Sequence, residues 1–171
     1  MKLTTERLIL GPYEDKDEGF LMAMLSDPEM MRFIGEGQPK DESGTKKFLE
    51  WIYGTYEQGA EFGLHVIVRK DDRVPVGHAG LVPQLVDGKK ELEIGYWIMR
   101  NYWGLGYATE AAAALKKYGR QKLGQQRLIA LIQPENVGSK IVAEKIGMHV
   151  EKKIVLSGQE VLVYVAREET S

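Results

Sequence analysis

The chain has 171 residues, 43% of them apolar and 28% charged, with a formal net charge of -2. That composition fits one soluble domain with its own core and argues against general nucleic-acid binding. It has no cysteine, which excludes thiol nucleophiles, thiolate metal sites and disulfides, and its three histidines are scattered, so no metal site is expected.

No apolar run approaches the ~18 residues of a membrane span. Residues 1–7 lack the apolar stretch of a secretory signal. A cytoplasmic protein without membrane contact is therefore the expectation.

Residues 7–10 (Arg-Leu-Ile-Leu) read as a first short strand, stopped by Gly11 and Pro12. Over residues 15–25, Phe20, Leu21, Met24 and Leu25 make a helical stripe. Pro28 opens a short piece around residues 30–33, and residues 35–39 read as a loop. Asp41 is placed to cap a helix that carries Phe48, Leu49, Ile52 and Tyr56 and ends near Gly59. The period then changes. Residues 63–69, 73–82 and 91–98 read as strands, the last entered through the turn signal Asp87-Gly88. A helix is expected from about 106 to 123, then a strand at 128–132, a helix at 136–146 and final strands at 148–156 and 160–166. No repeat or linker interrupts this order, so residues 1–171 read as a single α/β domain with a mixed sheet of about seven strands and about four helices.

The chemistry concentrates where the strand at 91–98 runs through residues 99–102 into Trp103-Gly104-Leu105-Gly106-Tyr107-Ala108-Thr109-Glu110. Two glycines let the backbone approach a ligand closely. The first N–H groups of the following helix have no partner inside it and, with the helix dipole, favour a pyrophosphate. A phosphate-bearing cofactor is the expectation. The segment has neither the Lys and Ser/Thr of a nucleotide-triphosphate loop nor the three-glycine dinucleotide spacing. As a bare glycine pattern it is also what an ordinary turn shows.

In context the segment resembles the acetyl-CoA-binding loop of the GNAT superfamily, Gln/Arg-x-x-Gly-x-Gly/Ala. Trp103, Gly106 and Ala108 stand at its three fixed positions, Trp103 replacing the usual Gln or Arg. Residues 5–10, 93–98, 103–111, 136–139 and 144–148 resemble, in order, segments of the branch related to ribosomal-protein N-terminal acetyltransferases. The likeness thus spans nearly the whole chain.

The resemblance implies direct transfer of acetyl from acetyl-CoA, the co-substrate, to a primary amine, above all a protein or peptide N-terminal α-amine. It also implies splayed central parallel strands, here those carrying Ile98 and Ile132. The backbone of Ile98, Met99 and Arg100 would pair with the pantetheine arm. Leu105, Gly106, Tyr107, Ala108 and Thr109 would hold the pyrophosphate, with Trp103 and Gly104 in the same loop. Asn136 and Ser139 would contact the far pantetheine arm and the thiol end. For both, a plain helix-start role is the alternative.

The acceptor must react as a neutral amine. An α-amino group with pKa near ~8 is roughly a tenth neutral at pH 7, whereas a lysine near ~10.4 is well under a thousandth. A base is therefore expected, and Glu93, where the resemblance places a carboxylate, is the candidate. If Asp87 and Gly88 form a two-residue turn, Val82 faces Glu93, Gly80 faces Gly95 and His78 faces Trp97, which puts Glu91, Glu93, His78 and Gly80 on one polar face. A tight turn at Asp71 and Asp72 would set His65 opposite His78, while Pro83 could introduce a bulge. Glu91 reads as a solvated strand residue. For Glu93, base and solvated residue stand about even. His65 and His78 read as hydrogen-bonded sheet residues, and His149 as surface.

Many GNAT members carry a tyrosine in the last helix that protonates the leaving thiolate. Ala143 stands there, leaving Ser139 or a water as the acid. Two other readings remain open: acetylation of a small amine such as a polyamine, amino sugar or drug, and a non-catalytic acetyl-CoA sensor. A monomer or homodimer fits equally.

Overall fold

In the computed structural model, which describes residues 2–167, two strands come first, β1 (Leu3–Thr4) and β2 (Leu8–Pro12). After a 3-10 turn at Asp15–Asp17 follow α1 (Glu18–Leu25), α2 (Pro28–Met31) and α3 (Glu42–Tyr56). Then come β3 (Gly63–Arg69), β4 (Pro75–Val86) and β5 (Lys89–Ile98). A second 3-10 turn, Arg100–Tyr102, leads to α4 (Tyr107–Gln121). The chain closes with β6 (Arg127–Ile132), α5 (Val137–Lys145), β7 (His149–Leu156) and β8 (Gln159–Arg167). Local chemistry explains several starts. The Asp27 carboxylate accepts from the Glu29 N–H and precedes Pro28, and Asp41 accepts from the Gly44 N–H at 2.8 Å, each satisfying a donor that the first helical turn leaves unpaired.

The strands form one eight-stranded sheet in the order β1-β2-β3-β4-β5-β6-β8-β7. Neighbours are antiparallel except β5 and β6, which run parallel. Two elements exceed the sequence reading: β1, only two residues long, and the four-residue α2, both too short to show a period.

The β4–β5 hairpin has the expected register. Asp87 and Gly88 take φ of 50° and 76°, the left-handed pair of a two-residue hairpin turn, and Val82 pairs with Glu93, Gly80 with Gly95 and His78 with Trp97. Pro83 makes no bulge and pairs with Leu92. β3 ends at the Gly63–Leu81 pair, so the missing N–H of Pro83 falls where β4 has no neighbour on that side.

The β3–β4 pair corrects one expectation. Its register shifts between Ile67 and Val68, so His65 faces Ala79 and Val66 faces His78. A one-residue slip exchanges faces, and the two histidines lie on opposite sides of the sheet. Each side has its own core. On one, Leu81, Ile94, Tyr96 and Leu128 pack with Ala111, Ala112 and Leu115 of α4 and Ala143 of α5. On the other, Leu64, Val66 and Val82 pack with Leu21, Met24, Leu49 and Ile52 of α1 and α3. No helix among the described residues is long and apolar enough to cross a membrane.

Candidate active site

β5 is fully laddered to β4, and β6 to β8, but between β5 and β6 the only registered pair is Glu93 with Ile129. Beyond that point, toward Ile98 and Ile132, the parallel strands part. N–H groups alternate sides along a strand. The Met99 N–H donates to the Val76 carbonyl at 2.8 Å, on the β4 side, which turns the Ile98 N–H toward the gap. Backbone polar groups left without a strand partner need another one, and an extended amide-bearing ligand would fit that need.

A cleft of about 650 Å³ opens on this gap, walled by Ile98, by Trp103, Gly104, Gly106, Tyr107, Ala108 and Thr109, and by Asn136 and Ser139. Gly106 takes φ 83°, ψ 7° as the residue before α4, and no side chain caps the helix. The N–H groups of the first turn of a fifteen-residue helix therefore face the cleft, a fit for pyrophosphate. Trp103, the departure from the motif, has a use of its own: its indole N–H donates to the Ile98 carbonyl at 2.6 Å and ties the loop to the strand end. Met99, Arg100 and Leu105 do not wall this cleft. Met99 packs against the α1–α3 core, Arg100 pairs with Asp27 at 3.1 Å, and Leu105 is exposed while its carbonyl accepts from Arg7 at 2.9 Å.

A second cavity of about 250 Å³ adjoins the first. Phe33, Ile34, Tyr96, Trp97, Asn136 and Ser139 line both. Glu93 is its one charged side chain among the described residues that line it. As a whole residue Glu93 is half-buried, but its carboxylate is recessed into the strand gap. Oε1 accepts from the Gln84 amide at 2.9 Å, and Oε2 lies 3.4 Å from the Leu131 N–H. Removal from water dominates and pushes its pKa up to about 7, against the lowering pull of those two donors. A carboxylate poised near 7 is suited to accept a proton at neutral pH.

The family model for the acetyltransferase (GNAT) domain matches residues 7–149. The chain belongs to the GNAT acetyltransferase family. It is 36% identical over 163 residues to YnaD, an uncharacterised N-acetyltransferase of Bacillus subtilis, covering 94% of this chain and 91% of the relative. A GNAT-family acetyltransferase crystal structure from Bacillus anthracis superposes with a TM-score of 0.81 at 30% identity, covering 98% of both chains. RimL, a ribosomal alpha-N-protein acetyltransferase solved with coenzyme A, superposes at 0.80 over 98% of both chains, but at 15% identity that likeness shows the fold alone.

This GNAT domain is thus an N-acetyltransferase of a fold that uses acetyl-CoA. Asn136 lines the cleft and also caps α5, its Oδ1 accepting from the Ser139 N–H at 3.2 Å. Ala143 is fully buried in the core under α5. Burial lowers His78 to about 3, so it stays neutral. Its Nδ1 lies 2.6 Å from the Tyr13 hydroxyl, and Phe48 and Trp97 flank the ring. His65, lowered by burial, bonds the Gly63 carbonyl. His149 is exposed on the edge strand β7. Glu91 forms an ion pair with Arg127 at 2.8 Å.

Sequence reasoning missed three contributors. Gln84 pairs with Glu91, which puts it diagonal to Glu93, a position the hairpin register already implied. Tyr96 donates to the Ser139 carbonyl at 2.8 Å, and burial above all, then the Glu93 charge, raises its pKa. Gln133, at the end of β6, donates to the Gly35 carbonyl at 2.7 Å and fastens the loop over the second cavity. Nothing in the sequence ties Gln133 to Gly35.

Proposed function

We propose that this GNAT enzyme acetylates the α-amine of a peptide or protein N-terminus, with Glu93 as the general base. The observation that carries this reading is the position of Glu93, which lines the second cavity at the strand gap beside the cleft, with its pKa near 7. When bound, acetyl-CoA supplies the activated acetyl thioester. The gap-facing Ile98 N–H is placed to polarise a carbonyl there, and the α4 N-terminus to hold the pyrophosphate. Glu93 takes the proton that the amine must lose, directly or through one water. An α-amine, near ~8, asks little of a base near 7, whereas a lysine near ~10.4 asks far more. The other polar side chains of the acceptor cavity, among them Gln84, Gln133, Asn136, Ser139, Ser157 and Gln159, are neutral hydrogen-bonding groups. Such a lining matches peptide amides better than a polyamine, which needs several carboxylates. Ser139, which lines both cavities, would return a proton to the thiolate. Since a thiol near ~8.5 leaves readily, that help is small.

The test is release of coenzyme A thiol against peptides with N-terminal Ala, Ser, Thr or Met, and against spermidine, glucosamine and aminoglycosides. Turnover is expected on one or more of the peptides. Turnover confined to a small amine would replace this acceptor assignment, and silence across the panel in protein that binds acetyl-CoA would favour a sensor.

A further inference from the structure

The opening motif Thr5-Glu6-Arg7 is not explained by the acetyl-transfer site, yet it makes a dense set of contacts with α4. The Arg7 Nε donates to Glu110 Oε1 at 2.7 Å, and the Arg7 backbone N–H to Glu110 Oε2 at 2.9 Å. The Thr5 hydroxyl donates to the same Oε2 at 2.5 Å. The second arm of the Arg7 guanidinium donates to the Leu105 carbonyl at 2.9 Å, inside the glycine turn. The guanidinium also lies 4.6 Å from the centre of the Tyr107 ring, the first residue of α4. A Cβ built on Gly106 would sit 3.3 Å from Arg7 Nη2. One side chain thus touches or abuts residues 105, 106, 107 and 110, the span that sets the direction of the uncapped N–H groups. Its partner Glu110 has its pKa lowered overall: burial alone would raise it, and the hydrogen bonds from Thr5 and Arg7 outweigh that.

We propose that Arg7, held by Glu110 and Thr5, is a positioning residue for the phosphate-binding turn at 104–107, so that the opening motif and the start of α4 act as one device. This rests on the reading of that turn as the pyrophosphate site. The geometry supports fixation of the turn, because Arg7 Nε and Nη1 donate to Glu110 and to the Leu105 carbonyl and hold the guanidinium along residues 105–107. Preorganisation of this kind shows as affinity for the phosphate-bearing part of the ligand and leaves the pantetheine part unaffected.

Calorimetry with coenzyme A and with pantetheine, which lacks the pyrophosphate, separates this from a role in general stability. In Arg7→Ala, and in Glu110→Gln should the first fold poorly, the Kd for coenzyme A is expected to rise about tenfold, the scale of a lost hydrogen bond to a charged group. The Kd for pantetheine is expected to stay as in the parent. Equal weakening of both ligands, or no change in either, would overturn the proposal. Gly106→Val, measured in parallel, guards the premise: if it binds coenzyme A normally, the turn is not the pyrophosphate site. If it fails to bind while Arg7→Ala and Glu110→Gln bind normally, the turn assignment stands and the clamp falls.

Discussion

The two cavities are built from different material. The cleft, the donor end in the proposed function, is framed mainly by backbone: the parted strands after Glu93, the left-handed Gly106 and the uncapped start of α4. The second cavity, the proposed acceptor end, is mainly side chains from distant segments: Gln84 and Glu93 from one hairpin, Gln133 from the end of β6, Phe33 and Ile34 from the stretch after α2, and Ser157 and Gln159 from the β7–β8 turn. A backbone site has to be written locally, in glycines and helix starts, so it tolerates Trp103 where the motif has Gln or Arg. A side-chain site can be rewritten one residue at a time without disturbing the fold, which leaves the acceptor end open to change while the backbone frame stays the same.

The sharpest way to break this comparison is Gly106→Val. A β-branched residue at φ 83° is strained, and its Cβ would press on Arg7. Binding of coenzyme A by calorimetry should be lost, and normal binding would refute a backbone-built donor end. Glu93→Gln should be the converse, an acceptor-end lesion. Turnover should fall by about 10²–10⁴-fold, the range for removal of a general base, while coenzyme A affinity is kept.

Gln84→Ala should give a smaller effect. The Gln84 amide stabilises the Glu93 carboxylate, so its loss raises the Glu93 pKa further. The acid limb of the rate profile should move to higher pH, with activity recovered above it. An unmoved limb would separate Gln84 from the base. Ser139→Ala should cost least, a severalfold drop in kcat at most, with the acceptor KM unchanged.

Glu93→Gln carries a stability signature as well. A carboxyl whose folded pKa is raised from 4.5 to about 7 contributes stability below its unfolded pKa and loses it as pH rises through 7. The variant should therefore melt higher than the parent at pH 8 and about equally at pH 4. Identical melting temperatures at both would indicate that Glu93 is not recessed as described.

The same contrast explains what the sequence made legible. The Asp87-Gly88 turn fixed the β4–β5 register by local chemistry, and from it the pairing of Glu93 with Val82 could be counted residue by residue. The loop between β3 and β4 offered no such anchor. There the shift between Ile67 and Val68 moved His65 to the other face, because a bulge depends on how two strands twist together and leaves no composition signal. The glycine turn before α4 was readable because Gly104 and Gly106 take the positive φ that favours glycine. The Gln133 bond to Gly35 joins residues brought together only by the folded sheet and the helix layer over it. Leu3–Thr4 was missed, and the short piece opened by Pro28 could not be typed as a helix, because both are shorter than the repeat that would reveal them.

The most direct test of the central claim, that Glu93 in the strand gap is the base, is the pH profile of kcat/KM for the parent and for Glu93→Gln, with one reactive peptide acceptor. The parent should lose activity below about pH 7, following the ionisation of Glu93. The variant should be low throughout, lack the limb near 7 and keep only the fall below ~8 that protonation of the α-amine itself imposes. A variant that keeps both the parent rate and the parent limb would contradict the account.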